Sequence, residues 1–179
     1  ERYETFDALG VYCERVGGTV ALLEASVCGY TDPATPTCLR ELGVAHALAC
    51  MVRDAGQHAR RNRIYIPLEE LARFDVSAGD ILNAHESANF QSLMAHQIER
   101  VENFCQRALA QLPEADRPRQ LPALIMAALD LALLHEIRAD GCRVLRQRTA
   151  LPPWRKLWIT WQTRRREKRR GNSRQGKPA

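Results

Sequence analysis

Four side chains able to bind a metal, His46, Cys50, Asp54 and His58, follow one another at intervals of four residues. On a helix that spacing keeps them along one gently drifting face. Arg53, Arg60, Arg61 and Arg63 gather at its C-terminal end, and guanidinium groups pair with carboxylate or phosphate oxygens. On spacing alone the segment reads first as a polar helix end with one core cysteine and solvated arginines. The rival is a zinc pair, Cys50 with Asp54 or Asp54 with His58. One ion cannot reach all three, because i, i+4, i+8 spreads them over about 12 Å. His85, His96 and His135 stand apart; His135, beside Leu133 and Leu134, reads as a hydrogen-bonded core histidine. No Ser-His-Asp or Cys-His constellation can be argued from the sequence.

The elements that must position these residues read as helices. Apolar residues recur at helical spacing from Tyr3 to about Ser26, interrupted by Gly17 and Gly18, whose cost in a helix points to close packing against another helix. A loop, Gly29 to Pro36, precedes a helix from about Thr37 to Arg61 that carries the metal-type face. Arg63 to Pro67 reads as extended, with Pro67 holding Ile66 away from helical angles. Short helices over Leu68–Phe74 and Ser77–Asn83 follow, the second capped by Ser77 with Asp80 at capping-box distance. A long helix from about Ser87 to Gln111 is closed by Pro113. The next, about Leu121 to Arg146, is apolar through most of its first half, so it is expected to be central. No repeat and no strand pattern appears, and the class is all-α.

Length fits one domain with a real core, residues 1–150, followed by a distinct tail, residues 151–179. Ten Lys/Arg and one acid lie from Trp154 onward, against sixteen and twenty before it, so the body carries −4 and the tail +9. Trp154, Leu157, Trp158 and Trp161 recur at i, i+3, i+4, i+7 within that tail. If helical, it is composed like an interfacial membrane helix, and residues 154–170 are expected to meet an anionic bilayer. The bland alternative has the tryptophans capping the bundle and the charges merely solvated. Nucleic acid is not expected, since no recognition motif accompanies the basic residues. Past Gly171 the composition is that of a disordered end. No stretch approaches an apolar membrane span of about 18 residues. Six scattered cysteines without a C-x-x-C pair read as reduced thiols, mostly core, in a cytoplasmic protein peripheral on the inner face of the plasma membrane. Glu1 opens in mid-pattern without methionine, which reads as the cut beginning of a longer protein.

Arg53-Asp54, followed by Ala59-Arg-Arg-Asn-Arg-Ile-Tyr-Ile-Pro-Leu-Glu-Glu-Leu-Ala-Arg-Phe74, resembles the second aspartate motif of squalene and phytoene synthases and its sequel. Tyr12-Cys-Glu-Arg-Val-Gly-Gly-Thr-Val20 resembles another segment of that family. Leu121 to Ala128, Glu136 to Gly141, Leu145 to Thr149 and Pro153 to Trp158 are similar to the late helices of bacterial presqualene diphosphate synthases. The resemblance implies the carboxy-terminal half of an isoprenoid-synthase helical bundle. It also implies a transferase condensing two farnesyl diphosphates, with Mg²⁺ drawing off diphosphate, in hopanoid or terpenoid biosynthesis. By it, Tyr12 matches an active-site tyrosine and Arg53 the motif's catalytic arginine, with Arg53, Arg60 and Arg63 taking the diphosphate. Asp54 matches a Mg²⁺ ligand. Cys50 and His58 stand where the family carries an asparagine ligand and a second aspartate, Ala47 where it has a glutamine, and Asp130 where it has a tyrosine. The first acidic motif would precede Glu1. One carboxylate, a thiol and an imidazole make a poor magnesium set. This chain alone is therefore expected to be inactive, pending a separate amino-terminal half, or to be a non-catalytic binding or assembly protein on the same scaffold.

Overall fold

The computed structural model describes residues 2–175 of the 179. Helix α1 (Phe6–Cys13) runs through one π-helical turn, Glu14–Gly18, into α2 (Thr19–Cys28). Then come α3 (Thr35–Arg53), α4 (Ala55–Arg60), α5 (Leu68–Arg73), α6 (Ala78–Leu82), α7 (Ala88–Gln111), α8 (Leu121–Ala139) and α9 (Pro153–Gln175). No strand occurs among the described residues.

The central helix is α3, not α8. It packs against α7, α2, the π turn, α8 and α1. Leu39, Leu42, Leu48 and Val52 on α3 join Phe90, Leu93, Met94, Ile98 and Val101 on α7 and Leu124, Leu134 and Ile137 on α8 in one buried core. By contrast, Met126 on α8 is exposed, with Ile125, Leu129 and Leu131 only half-buried. The apolar first half of α8 therefore serves two surfaces, one in the core and one open.

The glycine pair does bring two helices together. A methyl group on Gly17 would collide with the Gly43 carbonyl oxygen, and one on Gly43 with the Gly17 carbonyl oxygen and, at 2.7 Å, with Ala21 Cβ. Backbone approaches backbone there because neither helix carries a side chain at the crossing.

The sequence places one helix over residues 37–61; the chain instead breaks at Asp54, where φ −99° and ψ 12° separate α3 from α4. Helix α6 has the expected reciprocal cap: Asp80 N–H donates to Ser77 Oγ at 3.0 Å and Ser77 N–H to Asp80 Oδ2 at 3.0 Å. Helix α8 stops at Ala139 instead of running to Arg146. Gly141 (φ 70°) and Cys142 (φ 59°) take left-handed conformations, and residues 141–151 turn back as a non-helical strap. The strap crosses α4 at Gly56, where any Cβ would strike the Val144 and Leu145 carbonyls.

Composition past Gly171 points to disorder, but α9 runs through it to Gln175; residues 176–179 of the expected tail lie outside the described residues. Helix α9 packs on α8. Its buried Glu167 takes two hydrogen bonds from the buried Arg117 guanidinium, at 2.8 and 3.1 Å. Arg155 pairs with Glu136 at 2.6 Å and Arg170 with Glu114 at 2.5 Å. The positive segment is thus fastened to the negative body along its length.

Candidate functional site

An open groove runs between α2, α3 and α8. One end is apolar, lined by Val16, Val20, Leu39, Leu42 and Met126. The other is lined by His46, Arg53, Asp130, Arg148 and Lys156 beside Leu129 and Leu133. His46, Met126 and Asp130 belong to both stretches, which makes the groove continuous.

At the cationic end Asp54 is enclosed by guanidiniums. Arg53 Nε donates to Oδ1 at 2.9 Å and its terminal nitrogen to Oδ2, while Arg148 Nε from the strap donates to Oδ1 at 2.8 Å. Burial alone would raise the Asp54 pKa, but these donors outweigh it and hold the carboxyl below its ordinary value. The same pairing raises Arg53.

The neighbours expected to share a metal face with Asp54 are engaged elsewhere. The ring of His58 meets Tyr65 edge-on at 4.6 Å, and burial lowers its pKa, favouring the neutral imidazole. Tyr65 in turn lies 5.8 Å from Tyr12 and 6.2 Å from Tyr3, so Tyr12 belongs to an aromatic cluster. Cys50 faces the other way, its sulfur 3.7 Å from His46 Nε2. The break at Asp54 is what separates positions 50 and 58.

No group of three His, Cys, Asp or Glu able to hold a metal occurs among the described residues. With one carboxylate, shared by two arginines, and only a thiol and an imidazole at the neighbouring motif positions, the motif does not fit Mg²⁺, which takes several hard oxygen ligands. Neither zinc pair assembles, since Cys50 turns to His46 and His58 to Tyr65.

Of the arginines assigned to diphosphate, Arg53 reaches the groove. Arg60 is exposed and donates to the Leu145 carbonyl at 3.2 Å, clamping the strap. Arg63 is exposed at the end of α4, beside His58, Ile64 and Tyr65.

Sequence reasoning missed two long-range contacts. Arg148 arrives from 94 residues away on the strap. Asp130 Oδ2 lies 2.8 Å from His46 Nδ1 across 84 residues. The hydrogen bond to Asp130, then that to Cys50, raises the His46 pKa above its ordinary value. A Cys-His arrangement therefore exists, although the spacing gave no sign of it beyond the i, i+4 interval of His46 and Cys50. His135, read as a core residue, is exposed instead.

A model of the squalene/phytoene synthase family matches residues 1–155. The 15-cis-phytoene synthase of Synechococcus elongatus is 34% identical over 168 residues, covering 87% of this chain and 54% of that protein. The phytoene synthase of Arthrospira platensis is 33% identical over 169 residues, covering 87% and 55%. The chain thus spans about half the length of these relatives. Among solved structures, a dehydrosqualene synthase in complex with ligand superposes with a TM-score of 0.81 at 20% identity, covering 94% of this chain and 59% of that one. The squalene synthase HpnC from Alicyclobacillus acidocaldarius superposes with a TM-score of 0.68 at 22% identity, covering 78% and 53%. Motif, helical order and match length agree, and the chain belongs to the squalene/phytoene synthase family.

Proposed function

We propose that this chain is the carboxy-terminal half of a prenyl diphosphate-binding protein of the squalene, presqualene diphosphate or phytoene synthase type, acting in terpenoid or hopanoid biosynthesis. One observation carries the reading: an apolar groove that ends in cationic side chains. Burying a prenyl chain releases roughly 25 cal/mol per Å² of apolar surface, and the groove supplies that surface from Val16, Val20, Leu39, Leu42 and Met126. Two guanidiniums against one carboxylate leave net positive charge and unspent N–H donors, with Lys156 beside them, which suits a diphosphate. Arg53 and Arg148 would grip it, Arg60 and Arg63 would add to the field from the end of α4, and Tyr12 would stiffen α1 from its aromatic cluster.

The outer face of α9 would rest on an anionic bilayer. Trp154, Leu157, Trp158 and Trp161 are 69%, 72%, 55% and 48% exposed, so they do not cap the bundle, and the arginines of the same helix suit acidic headgroups.

A second reading, a non-catalytic binding protein on the same scaffold, is favoured by the capture of Asp54 by Arg53 and Arg148. One experiment addresses both. Farnesyl diphosphate binding is measured by calorimetry without metal, and turnover with Mg²⁺, for the chain alone and with any amino-terminal partner. Micromolar binding that Arg148→Ala weakens by about tenfold supports the groove reading. Turnover lost in Asp54→Ala would establish a transferase; binding without turnover would establish the scaffold. Absence of binding in a folded chain would overturn both.

A further inference from the structure

His46 and Asp130 line the middle of the groove, and with the half-buried Cys50 they have a use that prenyl diphosphate binding does not require. Cys50 Sγ lies 3.7 Å from Nε2 of His46, one turn earlier on α3, and Nδ1 of the same ring lies 2.8 Å from Asp130 Oδ2 on α8. Thiol, imidazole and carboxylate in that order form a nucleophile, a base and a group that orients the base. Asp130 is 6% exposed, and its carboxylate favours the tautomer that carries the proton on Nδ1. Nε2 is then directed at the sulfur.

We propose that Cys50 is an activated nucleophile, deprotonated by His46 with Asp130 as the positioning residue, and that it is S-alkylated by small carbon electrophiles. In the step, an S–C bond forms and the bond from carbon to its leaving group breaks. The leaving group departs with the electron pair, and the thiol proton passes to His46 Nε2. The imidazolium so formed lies against the Asp130 carboxylate. Substitution at carbon is the chemistry this arrangement serves. Cys50 lies within α3, where backbone N–H groups are spent on the helix, so no paired donors frame the oxyanion that acyl transfer would need.

The charged groups facing the site are Arg53, Arg148 and Lys156 at one end and Glu24 at the other, with Asp54 neutralised by its two arginines. The balance is positive. The remaining cysteines give an internal standard. Cys13, Cys38, Cys105 and Cys142 are buried, and burial raises all four, Cys13 and Cys105 to about 12. Cys28, at the end of α2, is half-buried like Cys50, but among the described residues no hydrogen bond joins it to a histidine.

The test is alkylation of the full chain by iodoacetamide, with occupancy of each cysteine followed by mass spectrometry near pH 7. Iodide is the leaving group. Cys50 is expected to react about tenfold faster than Cys28, and His46→Gln to bring it down to the Cys28 rate. Asp130→Asn should displace the pH–rate profile of Cys50 to higher pH, with partial recovery in Asp130→Glu, a change that mere loosening of the fold would not produce. Equal rates for Cys50 and Cys28 in the unaltered chain would overturn the proposal, whatever the variants do. So would a Cys50 rate unaffected by His46→Gln in a variant with an unchanged melt.

Discussion

At the scale of single residues, Asp116 shows how much one buried carboxylate organises. It is fully buried and accepts from Thr31 N–H at 2.8 Å, Thr31 Oγ1 at 2.7 Å, Asp32 N–H at 2.9 Å and Thr35 Oγ1 at 2.6 Å. These bonds fix the loop that leads into α3, whose His46 lines the groove. Burial alone would raise the Asp116 pKa, but the four donors hold it well below the carboxylate range. Because the folded value is depressed, the stabilisation is fully present above about pH 4 and is lost as pH falls through the folded value. Asp116→Ala is expected to cost roughly 3 kcal/mol near neutrality by stranding these donors. Urea unfolding of both proteins should show that gap at neutral pH and a narrower one near pH 2; a pH-independent gap would refute the charge-based account. Nothing local in Glu114-Ala-Asp-Arg-Pro118 announces this role, since each of the four hydrogen bonds comes from more than eighty residues away.

Helices were the most legible level. Periodicity and caps located α5, α6 and α7 to within a residue or two, because Ser77, Ser87 and Pro113 act through bonds and clashes inside their own segments. Two boundaries went unread for the opposite reason. The break at Asp54 and the strap after Ala139 are fixed by each other, through Arg148, Arg60 and the bare Gly56, which no single segment discloses. The glycines allow a test at this level. Gly43→Ala, at the crossing with the π turn, should destabilise by about 1–3 kcal/mol. Gly10→Ala in α1, where a methyl group meets nothing within 4 Å, should stabilise by about 0.5–1 kcal/mol. Thermal melts of the two variants moving the same way would contradict the crossing described above.

For the whole molecule, charge was legible but its placement was not. The positive segment is a helix fastened by Glu167, Glu136 and Glu114, and its Trp154, Leu157, Trp158 and Trp161 are exposed. Among the described residues no helix is long and apolar enough to cross a membrane, and the proposed contact with lipid is assigned to this face. Flotation with vesicles rich in phosphatidylglycerol is expected to carry the full chain upward and to leave behind a variant with Trp154, Trp158 and Trp161 all changed to Ala. Equal recovery of the two would sink the lipid reading. The Arg117–Glu167 pair then acquires a further meaning. It is dry, 4% and 5% exposed, so dissolved ions barely reach it, whereas arginines facing headgroups are screened over about 8 Å at physiological ionic strength. Added salt should therefore loosen the protein from its surface while α9 stays docked. The molecule would change its address and keep its shape.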